Sequence, residues 1–141
     1  MNNLKKILLY AWQLPQNLLG LAVRGHYIRV SGTHTKLTYN GADVIMAQAM
    51  RGGVSLGRYI IVGSHASGKT LAHEWGHCRQ SLALGWLYLP VIGLPSLLWA
   101  WAHSSLRCLE TVSYHRFFTE RWADRLGKTV FGSEAGQTSF E

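Results

Sequence analysis

The chain has 141 residues and a net charge of +7, from 14 lysines and arginines against 7 aspartates and glutamates. This length allows one compact domain and leaves no room for a separate substrate domain. Charged residues are only 15% of the chain, whereas hydrophobic residues are 48% and include six tryptophans. Low charge, a positive excess and many tryptophans favour an anionic membrane surface as a partner. We expect no nucleic-acid partner, because the basic residues are scattered and belong to no recognisable nucleic-acid module.

Residues 1–24 carry two apolar runs, separated by a polar interruption at residues 15–17. The segment lacks the small-x-small cleavage site of a signal peptide, and neither run has the roughly 20 apolar residues of a membrane-spanning helix. We predict an amphipathic segment that lies in the membrane interface, with Trp12 at the lipid headgroups and Lys5, Lys6 and Arg24 outside them. An ordinary helix that covers the protein core is the alternative.

Residues 25–69 contain short β-prone runs separated by glycine, which predict a small antiparallel or mixed sheet. The runs are residues 26–30, 35–39, 44–49 and 58–62. Gly52 and Gly53 are predicted to form the turn of a hairpin that joins the last two runs.

Residues 63–70 match G-x-x-x-x-G-K-[ST], the phosphate-binding loop of many nucleotide-binding proteins. Such a protein needs a parallel sheet built from alternating strands and helices, and a second strand ending in an aspartate that binds Mg²⁺. The rest of the sequence predicts neither feature. We interpret the match as accidental and expect Ser67 or Thr70 to cap the next helix. Nucleotide binding stays open as the least favoured alternative.

The sequence Leu-Ala-His-Glu-Trp-Gly-His-Cys at residues 71–78 lies on a helix predicted over residues 70–84. His73 and His77 are four residues apart, so they project from one face of this helix, one turn apart. Two imidazoles at this spacing can bind one Zn²⁺, and Glu74 is placed to accept a proton from a water on the metal. A third histidine ligand within the same motif is excluded, because the required position 83 holds alanine.

A second motif, Glu-Arg-Trp-Ala-Asp at residues 120–124, falls on a helix or helix pair predicted over residues 103–130. A catalytic zinc takes three protein ligands and one open position, so Glu120 is the candidate third ligand. Asp124 lies one turn further on the same face and would accept the other ring N–H of a ligand histidine. On this helix His115 would face nearly the opposite way, so we do not expect it to bind the metal. The alternative interpretation is an exposed acidic pair on a solvated surface.

Together the two motifs resemble the gluzincin clan of zinc metallopeptidases, and its membrane-linked members in particular, over residues 59–127. The resemblance implies an α+β, zincin-like fold in which a small sheet packs on the active-site helix and a later helix carries the third ligand. It implies one Zn²⁺ per chain and hydrolysis of a peptide or protein substrate, with Glu74 as the general base. It also places an extended substrate along a strand edge, for which residues 54–62 are the candidate.

An enzyme of this class needs a group that stabilises the oxyanion of the transition state. The candidates are His65, Tyr114 and Arg116, and the sequence does not choose among them. Ser113, Arg116 and Phe117 are predicted to share a helix face with Glu120.

Residues 82–102 carry no formal charge and are long enough to cross a membrane. One crossing would leave the two histidines and Glu120 on opposite sides, and two crossings need roughly 40 residues. Pro90 and Pro95 interrupt helical regularity. We therefore predict a bent apolar hairpin that dips into one leaflet, and a hairpin buried in the protein core is the alternative.

These predictions combine into one zincin-like domain over residues 1–141. Its parts are an amphipathic segment at residues 1–24, a small sheet at 25–69, a helical metal-binding part at 70–131 and a disordered tail at 132–141. We expect a membrane-associated protein, monotopic or peripheral, on the cytoplasmic face. The alternative from a different class is a non-catalytic protein that zinc stabilises, with Cys78 or another histidine as a fourth ligand.

Overall fold

The computed structural model describes residues 3–109, 111–131 and 138–140. It has five α-helices and a small mixed sheet with four main strands, so the predicted α+β class is confirmed. In chain order the elements are α1 (Asn3–Trp12), α2 (Leu14–Val30), β1 (His34–Tyr39), β2 (Ala42–Ala47), β3 (Gly53–Leu56), β4 (Tyr59–Gly63), α3 (Gly68–Leu84), α4 (Leu94–Ser105), α5 (Phe118–Phe131) and β5 (Thr138–Phe140).

The sheet has the strand order β3-β4-β2-β1-β5. β1 and β2 form an antiparallel hairpin, whose two-residue turn contains Asn40 and Gly41 at φ angles of 46° and 82°. An Asn-Gly pair adopts these positive φ angles readily, and they match the twist of the flanking strands. β4 pairs parallel with β2 and antiparallel with β3. β3 is therefore an edge strand, and β4 is central and buried.

The turn predicted at Gly52 and Gly53 is wrong, because Gly53 is already the first residue of β3. The chain turns instead between Leu56 and Tyr59, where Gly57 adopts a φ of 65°. Glycine is rare inside strands, so its presence at the start of β3 concealed that strand in the sequence.

The strand predicted at residues 26–30 is also wrong, because α2 continues to Val30. β-branched and aromatic residues favour strands only weakly, and tertiary contacts override such preferences. α2 packs on the sheet through Gly20, where an added Cβ would overlap the carbonyl oxygen of Leu56. The boundary predicted between residues 24 and 25 therefore falls inside a helix, and the preceding segment is divided between α1 and α2.

α3 carries the first predicted motif and begins where its sequence provides a cap. The Ser67 hydroxyl accepts a hydrogen bond from the backbone N–H of Thr70 at 3.2 Å, which satisfies one of the unpaired amides at a helix start. In the preceding turn, the N–H of Ala66 donates to the carbonyl of Gly63 at 3.0 Å. Two amides that a phosphate-binding loop would direct at its ligand are thus already paired. This pairing supports the interpretation of residues 63–70 as a turn and helix cap.

α3 and α5 pack unusually closely at two glycines. A Cβ added at Gly76 of α3 would overlap the backbone carbonyl of Ala123, and one added at Gly127 of α5 would overlap that of Ala72. Without side chains at these crossing points, the two backbones approach each other directly. This contact brings the two predicted motifs together.

The apolar stretch after α3 is helical but irregular. It passes through a 3₁₀ turn, Gly85–Leu87, and a π-helical turn, Leu89–Gly93, before α4 begins. Pro90 and Pro95 each stand in the first turn of a helical segment, where the missing N–H leaves no hydrogen bond unmade. Within the described residues, no helix combines the length and apolarity needed to cross a membrane.

The helix or helix pair predicted over residues 103–130 is not continuous, because α4 ends at Ser105 and α5 begins only at Phe118. Two short 3₁₀ turns, Arg107–Leu109 and Tyr114–Arg116, lie between them. The helix face predicted to be shared by Ser113, Arg116, Phe117 and Glu120 therefore does not form.

The segment predicted as a disordered tail, residues 132–141, is described only in part. Residues 132–137 and 141 lie outside the described residues. Thr138–Phe140 forms β5, which pairs antiparallel with β1 and was not predicted.

Candidate metal centre

Three side chains from α3 and α5 converge on one point. The Oε2 atom of Glu120 lies 3.2 Å from Nε2 of His73 and 3.4 Å from Nε2 of His77. One ligand atom from each residue lies within 4.8 Å of the other two. His73, His77 and Glu120 are therefore close enough to hold a metal ion, as their sequence positions predicted.

The carboxylate of Glu120 is suited to such a role. Its side chain is 1% exposed, and Oε2 is buried without a hydrogen bond of good geometry, although two imidazole nitrogens are near. A buried carboxylate oxygen left in this state is destabilising, and a cation at the same point would satisfy it. Two imidazole nitrogens and one carboxylate oxygen form a donor set that divalent transition metals accept.

His73 is held from both sides by carboxylates. Its Nδ1 lies 2.7 Å from Oδ1 of Asp124, while its Nε2 faces Glu120. Burial lowers the pKa of His73, but Glu120, Glu74 and Asp124 together outweigh burial and raise the pKa to about 9. Burial likewise raises the pKa of Glu120, but the two imidazoles outweigh burial and hold it well below its usual range. Asp124 thus occupies the position predicted for it, against the far nitrogen of a ligand histidine.

His77 is oriented by Gln80, a residue that the sequence did not single out. Nδ1 of His77 lies 2.8 Å from Oε1 of Gln80. The amide nitrogen of Gln80 donates to the backbone carbonyl of Thr119 on α5 at 2.8 Å. Gln80 is fully buried and stands three residues after His77, a spacing at which side chains on a helix contact each other. This spacing was the available signal.

Glu74 lies beside the cluster but is not one of its three converging side chains. It is 6% exposed, and the Ser55 hydroxyl donates to its Oε2 at 2.5 Å. The same hydroxyl lies 2.8 Å from the backbone oxygen of Glu74. A Cβ added at Gly53 would overlap Oε1 of Glu74. β3 therefore both positions this carboxylate and makes room for it, which could not be inferred from the motif.

The edge strand β3 runs beside α3, within the region predicted to receive an extended substrate. The prediction is wrong for residues 59–62, because they belong to β4, which lies between β3 and β2. β4 covers only one side of β3. The hydroxyl of Tyr88 donates to the carbonyl of Ser55 at 3.0 Å. One backbone acceptor of β3 is therefore already occupied by the protein itself.

The three candidates for oxyanion stabilisation separate clearly. The Tyr114 ring packs edge-on against that of His115 at 5.6 Å, and burial and the charges of Glu120 and Glu74 raise the pKa of its phenol. His65 is exposed in the turn before α3. Arg116 is exposed at the end of the 3₁₀ turn that Tyr114 begins. The structure brings Tyr114 to the site and leaves His65 and Arg116 at the surface.

His115 contacts the site, contrary to the prediction that it would face away. Its Nδ1 lies 3.0 Å from Oδ2 of Asp124, and its ring packs edge-on against that of His73 at 5.4 Å. The prediction failed because His115 lies on a separate 3₁₀ turn and not on α5. His73, His115 and Asp124 form a second group with ligand atoms within 4.8 Å of one another.

A hydrogen-bonded chain reaches Glu120 from α4. The Ser96 hydroxyl donates to Oγ1 of Thr119 at 2.8 Å, and Thr119 donates to Oε1 of Glu120 at 3.2 Å. Thr119 is fully buried. Oε1 of Glu120 therefore accepts a hydrogen bond from Thr119, and Oε2 faces the two histidines.

Neither cluster includes a cysteine. Cys78 is buried, and burial raises the pKa of its thiol far above its usual range. Among the described residues, no fourth histidine, cysteine, aspartate or glutamate joins His73, His77 and Glu120 within the ligand distance.

The chain has no significant match among protein-family models, curated proteins or solved structures. The chemistry of the site is therefore judged from its own geometry. The resemblance to gluzincins stays a prediction that rests on the two motifs.

Proposed function

We propose that the protein is a zinc-dependent peptidase of the gluzincin type, with a zincin-like arrangement of sheet and helices. The observation that carries this proposal is the position of Glu74. It is a buried carboxylate, fixed by Ser55, that stands beside a cluster of two histidines and a glutamate without belonging to it. A metal site built only for stability has no use for such a carboxylate, whereas a hydrolase needs one as a base.

Zinc is the metal that best suits the site. Two histidines and one glutamate, with no fourth ligand among the described residues, match the open three-ligand sites of zinc hydrolases. When bound there, Zn²⁺ would polarise the scissile carbonyl and lower the pKa of a water molecule. The same donor set also suits non-haem iron, so metal analysis is the first discriminating measurement.

The chain's own groups fit the remaining steps of peptide hydrolysis. Glu74 would take the proton of the attacking water and deliver it to the leaving amine, with Ser55 holding the carboxylate in one orientation. Tyr114 is the candidate to stabilise the oxyanion, because it packs against His115 beside the cluster and a neutral phenol donates a hydrogen bond. His73 and His77 are oriented by Asp124 and Gln80, which limits their movement during the reaction.

The substrate would be a peptide or protein segment in an extended conformation. β3 is an edge strand beside Glu74, and edge strands can bind a peptide through backbone hydrogen bonds. We retain a membrane surface as the place of action, on the cytoplasmic face.

The non-catalytic alternative is less well supported by the donor set. A purely structural zinc site is closed by four protein ligands, and neither Cys78 nor another histidine supplies a fourth within the described residues. Nucleotide binding is less favoured still, because β2 and β4 are the one parallel pair among the described strands.

The proposal is tested by metal content and peptidase activity measured on the same preparations. Wild-type protein should carry one zinc per chain and cleave a quenched fluorescent peptide library. Glu74→Gln should keep the zinc and lose activity by at least about 100-fold, whereas Glu120→Ala should lose both. Full activity in Glu74→Gln would remove the proposed mechanism, and a metal-free wild type would remove the peptidase itself.

A further inference from the structure

The exposed large apolar side chains are concentrated in two parts of the described surface. With two exceptions, they lie in residues 4–21 and 86–106. The exceptions are Val30, at the end of α2, and Phe118, at the start of α5. The rest of the described surface exposes only these two large apolar side chains, so the concentration needs an explanation.

Each part contains a helix without a single buried residue, α1 in the first and α4 in the second. On α4 the most exposed apolar residues are Leu94, Leu97, Leu98 and Trp101. Their spacing of three and four residues places them on one face of the helix. An apolar helix face turned to solvent is unfavourable unless something covers it.

The two parts meet at a pair of tryptophans. The indole N–H of Trp12 donates to the carbonyl of Leu82 at 2.9 Å, and that of Trp86 donates to the carbonyl of Ala11 at 2.9 Å. Gly85 packs directly against the Trp12 ring, where a Cβ would overlap it. Both rings remain about half exposed or more, at 48% and 60%. The exposed sides of α1 and of residues 86–101 are thus joined, and we call them the apolar face.

The two segments that form the apolar face carry formal charges of one sign only, and Glu110 is the first acidic residue after them. The sequence contains no aspartate or glutamate in residues 1–42 or in residues 75–109. Lys5 and Lys6 lie on α1, and Arg107 follows α4. A second copy of the chain docked face to face would bring like charges together. An anionic surface would meet opposite charges instead.

We propose that the apolar face docks on an anionic lipid bilayer and enters one leaflet without crossing it. Tryptophan rings whose N–H groups are already paired favour the boundary between headgroups and acyl chains. Apolar helix faces lie in that boundary, and flanking lysines and arginines add attraction to anionic lipids. The proposal does not rest on peptidase activity, because lipid binding is measured without a substrate.

The experiment uses the full chain and vesicles of phosphatidylcholine with about one phosphatidylglycerol in four lipids. Binding is followed by co-sedimentation and by the blue shift of tryptophan fluorescence. Leu97→Glu on α4 and Leu8→Glu on α1 remove apolar contact with the bilayer, and Val30→Glu is the matched control. Val30 is 52% exposed and lies outside the face, so this control adds the same charge without touching it. Circular dichroism without lipid checks that each variant is folded, and Trp101→Glu provides a second variant on α4.

Wild type and Val30→Glu should bind these vesicles, and the Leu97 and Leu8 variants should partition at least about tenfold more weakly. Rising salt should weaken binding of the wild type, because it screens the lysines from the anionic lipids. Equal binding by Leu97→Glu and Val30→Glu would overturn the proposal, as would a wild type that stays unbound. If the wild type does not bind vesicles but forms a dimer that Leu97→Glu disrupts, the apolar face binds a second copy of the chain instead.

Discussion

Gln80 donates its amide hydrogens to the carbonyl of Thr119, and this fixes which of its atoms faces His77. A carbonyl can only accept, so the NH₂ group must point to Thr119 and the oxygen to His77. In the neutral imidazole that binds a metal, Nδ1 of His77 therefore carries the proton and Nε2 has its lone pair towards Glu120. One glutamine thus sets both the tautomer of a metal ligand and a contact between α3 and α5.

Replacing Gln80 with leucine should weaken metal binding by about 10- to 100-fold, the usual effect of losing a partner that orients a ligand histidine. The variant removes the bond to His77 and the bond from Gln80 to the carbonyl of Thr119. Affinity is measured by competition with a chromogenic chelator. Gln48→Leu is the matched control, because Gln48 is exposed and bonds only to Thr33 at 3.1 Å. Equal affinity in the two variants would show that Gln80 does not orient His77.

Asp124→Ala should weaken metal binding more than His115→Ala does. Asp124 contacts His73 directly at 2.7 Å, whereas His115 acts on the site through Asp124 and is 56% exposed. We expect a loss of about tenfold or more for Asp124→Ala and a few-fold at most for His115→Ala. Titration of both variants with the same chelator compares them. A larger loss in His115→Ala would instead make His115 a direct ligand, through the second group that it forms with His73 and Asp124.

Gly76→Ala should destabilise the protein by about 1–3 kcal/mol, because its Cβ would press on the backbone of Ala123 and force α3 and α5 apart. Urea denaturation of the metal-free protein measures the free energy of unfolding. Gly25→Ala on α2 is the control, since a Cβ there meets nothing within 4 Å. That change should be neutral or stabilise by up to about 1 kcal/mol, from helix propensity alone. If Gly76→Ala is as stable as Gly25→Ala, the close helix contact is not required.

Ser55→Ala should lower kcat by about 10- to 100-fold while zinc content stays unchanged. The substitution removes a hydrogen bond to a buried carboxylate, an interaction of about 1.5–3 kcal/mol, and frees Glu74 to rotate. KM should change little, because Ser55 contacts Glu74 and not the substrate in the proposed mechanism. Ser104→Ala is the control on an exposed serine that bonds to Trp101 at 2.9 Å. An unchanged kcat would show that Glu74 keeps its position without Ser55.

The sequence predicted the parts of the site that depend on helical periodicity alone. His73 and His77 share a face because they are four residues apart, and so do Glu120 and Asp124. The start of α3 was also predictable from nearby residues, because a serine cap binds an amide only three residues away. These relationships involve residues of one helix, so they do not depend on how the rest of the chain folds.

The missed features depend on more than local preference. Ser55 lies on a strand that glycine concealed, and it reaches Glu74 because β3 packs on α3. His115 was assigned to one helix with Glu120, but α5 begins only at Phe118 and His115 lies on a separate 3₁₀ turn. Residues 26–30 looked like a strand, yet they extend α2. The first feature follows from a contact between distant segments, and the other two from helix boundaries, which residue preferences predict poorly.

The candidate ligands lie on α3 and α5, with α4 and four short helical turns between them in the chain. A metal ion held by all three would therefore cross-link the two ends of a long loop. Such a link restricts the unfolded chain, and a ligand that binds only the folded state adds stability that grows with its concentration. Proteases that degrade unfolded chains would then remove the metal-free protein faster. The cellular lifetime of the protein would follow the supply of its metal.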